Sequence, residues 1–578
     1  MSDNYDNGHI VPECSQIIYN GFQRYNKNFH RITDRAHIRF IERDWKGHQQ
    51  DIADRIELYE KSASRIAESV RKLLEGHTQD QELWSEIRTF LGERLENIPD
   101  SAFIKTFFNS ITRRVFESVG GTVGYNPNLE FVFSSMDGRT EKLGSLTLRR
   151  YPYWGSLKTL FKKNLEEINF GAKYFNIDSS VEAIADKISN FCHKNITGND
   201  EFIRFEFIES LFYQSARAYL VGRIIKRHCI IPIVIAFKNT DAGITHDGVF
   251  MSEEEVSIVF GYTRSYYFAD PSSVEAAVHF LSSILPDKPV DELFTVLGRV
   301  RQGKNERYRT FAKHLNTTDD KFVHADGDKG LVMLVFNLPS YNLVFKVIRD
   351  QFGFPKTISR QGVIDKYQLV SKHDRAGRLI DTQAFFKIEF PADRFSDELI
   401  EELLTKAKNS VELKGNKLIF KHIYAERYVR PLNLYIKEVS KEDAELAILD
   451  YGQALKDLAQ TNIFPGDLLL KNFGVTHHKR VVFYDYDEVA LITECNFRAI
   501  PEANNDNDEM RAGTWYHVSD NDIFPEEHLK FLAMNKDLRS LFMEVHNELL
   551  TVEYWRNIKA RQLAGEVSAV IPYSRSAL

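Results

Sequence analysis

Apolar residues in the first half of the chain recur at helical spacing. Leu83–Leu95 and Phe103–Val119 both carry them in steps of three and four, and two glycines follow the second stretch. This spacing puts apolar side chains on one face of an α-helix, and a glycine soon after the last of them is a common stop. The clearest run ends three residues before Gly76 and consists of Ile52, Ile56, Tyr59, Ala63, Ile66, Val70 and Leu73.

Two strands are predicted within this helical half, at Glu130–Ser134 and around Ile230–Phe237. The longest apolar run of the chain, Cys229–Phe237, is far too short to span a membrane and is typical of a buried strand. No catalytic group of side chains stands out before about residue 315, and isolated histidines are more often structural than ligands. We interpret residues 1–315 as a helix-rich domain with a regulatory or protein-binding role.

The pattern changes after the polar stretch at 316–320. Residues 330–339 and 343–350 are rich in β-branched and aromatic side chains and are separated by a short turn, which predicts a β-hairpin. The elements expected next are a helix over about Arg360–Leu379, strands at Phe385–Phe390 and Leu418–Tyr424, and a helix from Lys441. The predicted order is strands, one helix, more strands and then a helical region. Two-lobed protein kinases have the same order of elements.

Composition narrows the class of protein. The chain has 578 residues, of which 43% are hydrophobic and 27% charged, so we expect two to four globular domains. A net charge of −7 without a long basic stretch argues against nucleic-acid binding. The four cysteines lie far apart, which favours free thiols over disulfides or a zinc site. The first residues lack a signal-peptide pattern, so we expect a cytoplasmic protein without membrane contact.

Three polar residues near the C-terminal end have the spacing of a phosphotransfer site. Asp467 is followed five residues later by Asn472, and an apolar run at 481–484 leads into Asp485. In a protein-kinase site, one Asp accepts the proton of the attacking hydroxyl, and an Asn and a second Asp hold Mg²⁺. Taken singly, an Asp after Pro-Gly is often a turn cap, and Asp485 and Asp487 are typical of a solvated strand end.

Upstream residues supply candidates for nucleotide contacts. Lys346 lies in the strand-like run LVFKVIRD, where a lysine can pair the phosphates of ATP. Taken alone, this lysine is more typical of the solvated face of an edge strand. The turn at 325–331 contains glycines that would let backbone N–H groups approach phosphates, yet it is also a common hairpin turn. Residues 425–428 follow a strand and precede a helix, where a hinge between lobes would contact adenine. An ordinary loop is the alternative there.

The chain also departs from the common kinase pattern. Pro465 and Gly466 stand where an HRD motif would have His and Arg, DYD at 485–487 replaces DFG, and no APE motif follows. The predicted helix after Lys346 offers no clear Glu partner, since the acids there are Asp365, Asp374 and Asp381. We therefore expect a divergent kinase whose control differs from activation-loop phosphorylation.

The motifs FPGDLLLKNFGV, RVVFYDYDE, LVFKVIRD and KHDRAGRLIDTQ, together with the helical first half, closely resemble bacterial isocitrate dehydrogenase kinase/phosphatase along the whole chain. The resemblance implies an enzyme that phosphorylates a serine of isocitrate dehydrogenase with ATP and removes the phosphate again. This switch would divide carbon between the citric acid cycle and the glyoxylate bypass. It also implies Mg²⁺, with Mn²⁺ as an alternative, and AMP as an allosteric effector.

The resemblance assigns roles residue by residue. Asp467 would be the kinase base, Asn472 and Asp485 the metal ligands, and Asp381 the acidic residue linked to the phosphatase reaction, with Asp487 as a second candidate. Thr493–Glu502 would recognise the substrate. The expected nucleotide contacts are Ala325, Asp326, Gly327, Asp328, Lys329, Gly330, Leu331 and Lys346, and the hinge adds Glu426 and Tyr428.

The predicted fold class is therefore α+β, with a helix-rich regulatory domain at 1–315 and a divergent two-lobed protein-kinase-like domain at 316–578. The small lobe would span 316–428 and the large lobe 429–578. Two other functions stay open at this point: a small-molecule phosphotransferase, and a pseudokinase that senses nucleotide and binds a partner without chemistry. The sequence does not fix the oligomeric state, and a homodimer is one of the states left open.

Overall fold

The structure is a computed structural model, and it describes residues 7–118, 130–131, 144–195, 201–214, 216–261, 267–354, 356–373, 376–501, 516–532, 534–566, 570 and 573. The chain divides into two compact units, each discontinuous in sequence. The first comprises Met1–Phe260, Tyr266–Thr317 and Tyr573–Leu578, and the second comprises Gly261–Ser265 and Thr318–Pro572. The continuous domains predicted at 1–315 and 316–578, and the two lobes, stay predictions.

The first unit opens with long helices that pack around aromatic residues. They are α1 (Asn7–Glu42), α2 (Trp45–Leu73), α3 (Gln81–Leu95) and α4 (Ala102–Ser118). Trp84, Phe107 and Phe108 are fully buried in the core that these helices share. The side chain of Asp80 caps α3 by accepting hydrogen bonds from two backbone N–H groups of its first turn. The predicted helices are confirmed, with Val119 outside the described residues.

A six-stranded antiparallel sheet, largely missed by the sequence analysis, follows in the same unit. Its strands are β1 (Leu148–Pro152), β2 (Phe202–Ile208), β3 (Phe212–Gln214), β4 (Arg217–Lys226), β5 (Ile230–Thr240) and β6 (Gly243–Phe250). The order is β1-β2-β4-β5-β6, with β3 paired to β4. The prediction around Ile230–Phe237 is confirmed as β5. Glu130 and Phe131 lie in no strand, and the rest of that predicted strand is outside the described residues.

Six further helices complete the regular structure described in the first unit. They are α5 (Leu157–Glu167), α6 (Ile177–Asn195), α7 (Glu253–Val259), α8 (Val274–Ser282), α9 (Val290–Val296) and α10 (Val300–Thr317). A capping box begins α7, since Ser252 and Glu255 exchange side-chain and backbone hydrogen bonds. The unit is therefore helix-rich as expected, but it contains a substantial sheet.

The second unit begins with another six-stranded antiparallel sheet. Its strands are β7 (Val323–His324), β8 (Met333–Asn337), β9 (Leu343–Ile348), β10 (Gln383–Pro391), β11 (Val411–Lys414) and β12 (Lys417–Arg427). The order is β10-β12-β9-β8-β7, with β11 paired to β12. The predicted hairpin is confirmed as β8 and β9, and both later predicted strands are confirmed as β10 and β12.

Helices α11 (Arg360–His373) and α12 (Asp397–Lys406) are inserted between these strands. The prediction that the first would reach Leu379 was wrong. Gly377 has a φ of 68°, and the Arg378 carbonyl accepts a hydrogen bond from the Phe483 N–H. Leu379 then forms a parallel bridge with Phe483. The segment therefore runs extended beside a neighbouring strand and cannot continue the helix.

The remainder of the second unit is mostly helical and holds short strand pairs. Its helices are α13 (Leu432–Glu438), α14 (Lys441–Gln460), α15 (His528–Phe531), α16 (Lys536–His546) and α17 (Val552–Leu563). Its strands are β13 (Arg430–Pro431), β14 (Ile463–Phe464), β15 (Phe473–Val475), β16 (Val481–Phe483), β17 (Ala490–Leu491), β18 (Asn496–Phe497) and β19 (Asp522–Ile523). The predicted helix from Lys441 is confirmed. Within the described ranges, no helix is long and apolar enough to cross a bilayer.

Candidate active site

Lys346 and Glu426 form a buried ion pair inside the sheet of the second unit. The Lys346 ammonium lies 2.7 Å from the Glu426 carboxylate, and the two residues are 4% and 2% exposed. Lys346 is opposite Tyr424 in the ladder between β9 and β12, so Glu426, two residues on, shares its face of the sheet and is its diagonal neighbour. The acid that pairs with the lysine therefore comes from a strand, and the contact of Glu426 with adenine stays a prediction.

Near the Lys346–Glu426 pair, helix α11 contributes an aromatic side chain, where the corresponding helix of a common kinase contributes a Glu carboxylate. The ring of Tyr367 stacks on Tyr424 with 4.3 Å between centroids and meets Tyr486 edge-on at 5.3 Å. Lys346 donates a hydrogen bond of 2.7 Å to the Tyr484 carbonyl, and Glu426 accepts one of 2.7 Å from the Thr382 hydroxyl. The lysine is thus held from several sides before any phosphate binds.

The glycine-containing turn at 325–331 is fastened to its surroundings by arginines. Arg430 donates to Asp326 at 2.6 Å, to Tyr428 at 3.1 Å and to both carboxylate oxygens of Glu438. Arg349 donates to the Gly330 carbonyl at 3.0 Å. These contacts connect the turn to the hinge that carries Tyr428.

Glycine is required at two positions of this turn. Gly327 has a φ of 112°, which L side chains rarely adopt, and a Cβ on Gly330 would lie 2.6 Å from the Met333 carbonyl oxygen. A turn this tight leaves its backbone close to any phosphate placed above it.

Asp467 lies in a loop whose shape depends on Gly466. Gly466 has a φ of 83°, and a Cβ there would lie 2.4 Å from the Glu488 carbonyl oxygen. The Asp467 side chain accepts a hydrogen bond of 3.0 Å from the Leu469 N–H. The backbone carbonyl of Asp467 accepts one of 3.3 Å from the Asn472 side-chain amide. The loop therefore fixes Asp467 and Asn472 relative to each other.

The β15–β16 hairpin explains why Asn472 and Asp485 meet. Asn472 directly precedes β15, and Tyr484 directly follows β16, with Phe473 opposite Phe483 in the ladder. The Tyr484 N–H donates to the Asn472 carbonyl at 3.1 Å, which closes the open end of the hairpin. An antiparallel pair brings residues before one strand and after the other side by side, so thirteen residues of sequence become one local site.

Asp485 and Asp487 form an acidic pair at the end of this hairpin. Burial raises the pKa of Asp485, and the nearby Asp487 carboxylate raises it further, while Lys346 and Lys356 oppose the shift. Asp487 is buried and lies 3.0 Å from the Lys356 ammonium. Tyr486 between them points away and donates hydrogen bonds to the carbonyls of Ile380 and Phe483.

One cavity collects most of the predicted site. Lys346, the turn 325–331, the hinge residues Glu426 and Tyr428, and the loop residues all line it. The members from the loop and the acidic pair are Asp467, Asn472, Asp485 and Asp487. Asp381 does not line this cavity, although its neighbour Ile380 does. Asp381 is buried and accepts a hydrogen bond of 2.9 Å from Gln383.

The sequence analysis missed several charged residues of this region, including Lys356 and Arg378. Lys356 lines the cavity, and no kinase motif contains it. Arg378 is 3% exposed and donates to Asp450 and Asp457 on α14 and to the Val481 carbonyl. Arg378 lies in KHDRAGRLIDTQ, one of the motifs that carry the resemblance, and this position could have identified it from the sequence.

The donor set fits Mg²⁺ better than a transition metal. Among the described residues, no cluster of three or more His, Cys, Asp or Glu side chains is arranged to hold a metal ion. Asn472 and Asp485 offer an amide and a carboxylate oxygen, and Mg²⁺ is usually held by one or two carboxylates together with substrate phosphates. A divalent cation would also offset the repulsion between Asp485 and Asp487.

Comparison with known proteins covers nearly the whole chain. Residues 15–319 match the family model described as isocitrate dehydrogenase kinase/phosphatase (AceK), regulatory domain, and residues 320–575 match its kinase domain. The chain is 42% identical over 565 residues to an isocitrate dehydrogenase kinase/phosphatase of Anaeromyxobacter sp. (strain Fw109-5), covering 98% of this chain and 97% of the relative. A protein of the same name from Xanthomonas euvesicatoria pv. vesicatoria (strain 85-10) is 41% identical over 567 residues, covering 97% and 96%. The chain therefore belongs to the isocitrate dehydrogenase kinase/phosphatase family.

Proposed function

We propose that this enzyme phosphorylates a serine of isocitrate dehydrogenase with ATP and Mg²⁺, which inactivates that enzyme, and removes the phosphate again in the same site. The observation that carries the proposal is the single cavity in which the Lys346–Glu426 pair faces Asp467, Asn472 and Asp485. A chain that only bound nucleotide would not need all of these groups in one cavity.

In the forward reaction, the serine hydroxyl attacks the γ-phosphorus of ATP. A bond forms between the serine oxygen and phosphorus, the bond from phosphorus to the β–γ bridging oxygen breaks, and ADP leaves. Asp467 orients the hydroxyl and accepts its proton, and Lys346 binds the α- and β-phosphates. Asn472 and Asp485 would hold Mg²⁺, which would offset the negative charge of the phosphates.

In the reverse direction, a water oxygen bonds to the phosphorus and the bond from phosphorus to the serine oxygen breaks. The serine oxygen takes up a proton, and inorganic phosphate leaves. Asp487, which lines the cavity, would orient this water, and Asp381, which is buried beside Gln383, would support the reaction. The same cationic surroundings stabilise a loose phosphoryl transition state whichever way the group moves, so one site suffices for both reactions.

The remaining parts of the proposal follow from family membership. AMP acts as an allosteric effector, Mn²⁺ can replace Mg²⁺, and the protein works in the cytoplasm on the branch between the citric acid cycle and the glyoxylate bypass. Thr493–Glu502 recognises the protein substrate; its first part forms a short 3₁₀ turn and strand β18, and Glu502 lies outside the described residues.

The test is to incubate the purified protein with isocitrate dehydrogenase and ATP·Mg²⁺. Phosphoserine is then located by mass spectrometry while dehydrogenase activity is followed. We expect one modified serine and a parallel loss of dehydrogenase activity. Binding of ATP·Mg²⁺ without turnover would indicate a pseudokinase, and turnover stimulated by a small metabolite and not by protein would indicate a small-molecule phosphotransferase.

A further inference from the structure

Lys356 reaches the cavity from the segment between β9 and α11, and Lys329, Lys346 and Lys471 line the same cavity. Its ammonium lies 3.0 Å from Asp487 and also contacts Glu488, and its side chain is 16% exposed. Of the other lining lysines, Lys346 is mostly buried and already contacts Glu426 and the Tyr484 carbonyl, whereas Lys329 and Lys471 are more exposed. The Lys346 and Lys356 ammonium groups therefore have different carboxylate partners within one cavity.

The charges around Lys356 favour a retained positive charge at the acidic end of the site. Burial lowers the pKa of its ammonium, but the carboxylates of Glu488 and Asp487 outweigh burial, so that the pKa is raised. Asp485 is close enough for Lys356 to oppose the upward shift of its pKa. Two carboxylates thus contact one ammonium, at the end where the metal ligands Asn472 and Asp485 are proposed.

Backbone hydrogen bonds couple Lys356 to the glycine-containing turn. The Lys356 N–H donates to the Gly353 carbonyl at 3.0 Å, and the Gly353 N–H donates to the Leu331 carbonyl at 3.2 Å. A Cβ on Gly353 would lie 2.8 Å from the Leu331 side chain, so the two segments pack closely. The lysine is consequently held next to the turn that we propose to cover the phosphates.

We propose that Lys356 is a catalytic residue that binds the phosphoryl group during transfer, and that Asp487 holds its ammonium in position until that group arrives. This inference rests on the proposed function, since it concerns the same cavity. As the bond to the β–γ bridging oxygen breaks, negative charge spreads over the three equatorial oxygens of the phosphoryl group. A fixed ammonium near those oxygens stabilises the transition state more than bound ATP.

The experiment is a calorimetric titration with ADP·Mg²⁺, without and with tetrafluoroaluminate, which imitates the phosphoryl group in transit. For the unmodified protein we expect tetrafluoroaluminate to tighten ADP·Mg²⁺ binding about 10²-fold or more. Lys356→Met should lose at least about tenfold of that gain while binding ADP·Mg²⁺ alone within about twofold of the unmodified protein. A purely structural role for Lys356 would not separate the two titrations in this way.

Two further variants keep the test decisive. Lys356→Gln retains a hydrogen-bond donor for Asp487 without the charge, so it should lose the gain as well, and Lys356→Arg should retain most of it. The matched control is Lys417→Met, because Lys417 also lies 3.0 Å from a carboxylate, that of Glu389, but does not line the cavity. Equal gains in Lys356→Gln and the unmodified protein would overturn the proposal.

The titration contains no protein substrate, so its outcome is separate from that of the proposed function. If isocitrate dehydrogenase takes up no phosphate but the gain from tetrafluoroaluminate depends on Lys356, the proposed protein substrate is wrong and the role of Lys356 stands. If isocitrate dehydrogenase is phosphorylated at unchanged rate by Lys356→Met, the role of Lys356 is wrong and the proposed function stands.

Discussion

The Lys346 ammonium and the Glu426 carboxylate are 2.7 Å apart on neighbouring strands of one sheet. In common protein kinases the phosphate-binding lysine pairs with a Glu on a mobile helix, and the position of that helix controls activity. Here the helix after the lysine is α11, and it contributes the Tyr367 ring to the surroundings of this pair. Neither charged residue of the pair lies on that helix. Formation of the Lys346–Glu426 pair therefore does not depend on the position of α11. The sequence also lacks the HRD and APE motifs of kinases that are controlled in that way.

We predict that Glu426→Gln lowers the free energy of unfolding by about 3 kcal/mol, because it leaves the buried Lys346 ammonium without its counter-charge. The apparent affinity for ATP should fall as well. Urea denaturation and an ATP titration measure the two effects. The double variant Lys346→Met/Glu426→Gln should be more stable than Glu426→Gln, since it removes both charges.

The control for this prediction is Glu389→Gln, which removes the partner of Lys417 from an exposed pair in the same sheet. An exposed pair contributes less than about 1 kcal/mol, so this variant should remain close to the unmodified protein. If both Gln variants lost equal stability, the buried pair would have no special role.

We predict that Asp467→Asn slows phosphorylation by about 10²-fold or more, because the amide cannot accept the serine proton. The variant keeps an oxygen that can accept the hydrogen bond from the Leu469 N–H, so loop structure and ATP binding should be retained. Single-turnover phosphorylation and an ATP titration test the two halves of this expectation. Unchanged turnover would exclude Asp467 as the base.

We predict that Asp381→Ala impairs dephosphorylation more than phosphorylation. Asp381 does not line the cavity with Asp467, so its loss should leave the forward reaction less affected. The measurement compares both rates for the same preparation of the variant. Equal loss of both activities would refute this division of roles.

We predict that Gly466→Ala lowers the thermal unfolding midpoint much more than Gly415→Ala. Both glycines have positive φ, 83° and 62°, so either alanine costs about 1 kcal/mol of backbone strain. A Cβ at Gly415 meets nothing within 4 Å, whereas at Gly466 it lies 2.4 Å from the Glu488 carbonyl oxygen. Gly466→Ala should also lose kinase activity because the Asp467 loop must move. Similar midpoints for the two variants would show that this close approach is unimportant.

We predict that Asp485→Asn stabilises the metal-free protein, and more so at pH 8 than at pH 5. Burial and Asp487 raise the pKa of Asp485 in the folded state, so the folded protein holds a proton that the unfolded chain has already lost. Stability contributed by this group therefore falls as the pH rises from the ordinary carboxyl pKa toward the raised value. Thermal unfolding in a chelating buffer at both pH values measures the difference. If Asp485→Asn were less stable than the unmodified protein at pH 8, the raised pKa of Asp485 would be contradicted.

The parts of the fold that follow a strong local pattern could be predicted from the sequence. The hairpin carrying Lys346 was predicted from two β-branched and aromatic runs around a turn, and the helix before Asp467 from its helical period; both are confirmed. Of the sheet in the first unit only β5 was predicted, and its neighbour β4 is buried along most of its length and lacks the alternation typical of half-exposed strands. The end of α11 was missed although Gly377 was a local stop signal, and the pairing of Leu379 with Phe483 on the neighbouring strand also depends on tertiary structure.

In the candidate site, too, local patterns could be predicted from the sequence and tertiary contacts could not. Asp467, Asn472 and Asp485 were identified from spacing, since a short hairpin separates them. The pairing of Lys346 with Glu426, eighty residues later, depends on the register between β9 and β12, which no local pattern specifies. The contact of Lys356 with Asp487 is likewise a tertiary one.

The most direct test of the central claim is transfer of label from γ-labelled ATP·Mg²⁺ to purified isocitrate dehydrogenase, followed by a chase with unlabelled nucleotide and AMP. We predict that label appears on the dehydrogenase and is then released, with recovery of dehydrogenase activity. Label that never appears would contradict the claim that this cavity transfers phosphate to that protein, and label that appears but stays would contradict the claim that the same enzyme removes it.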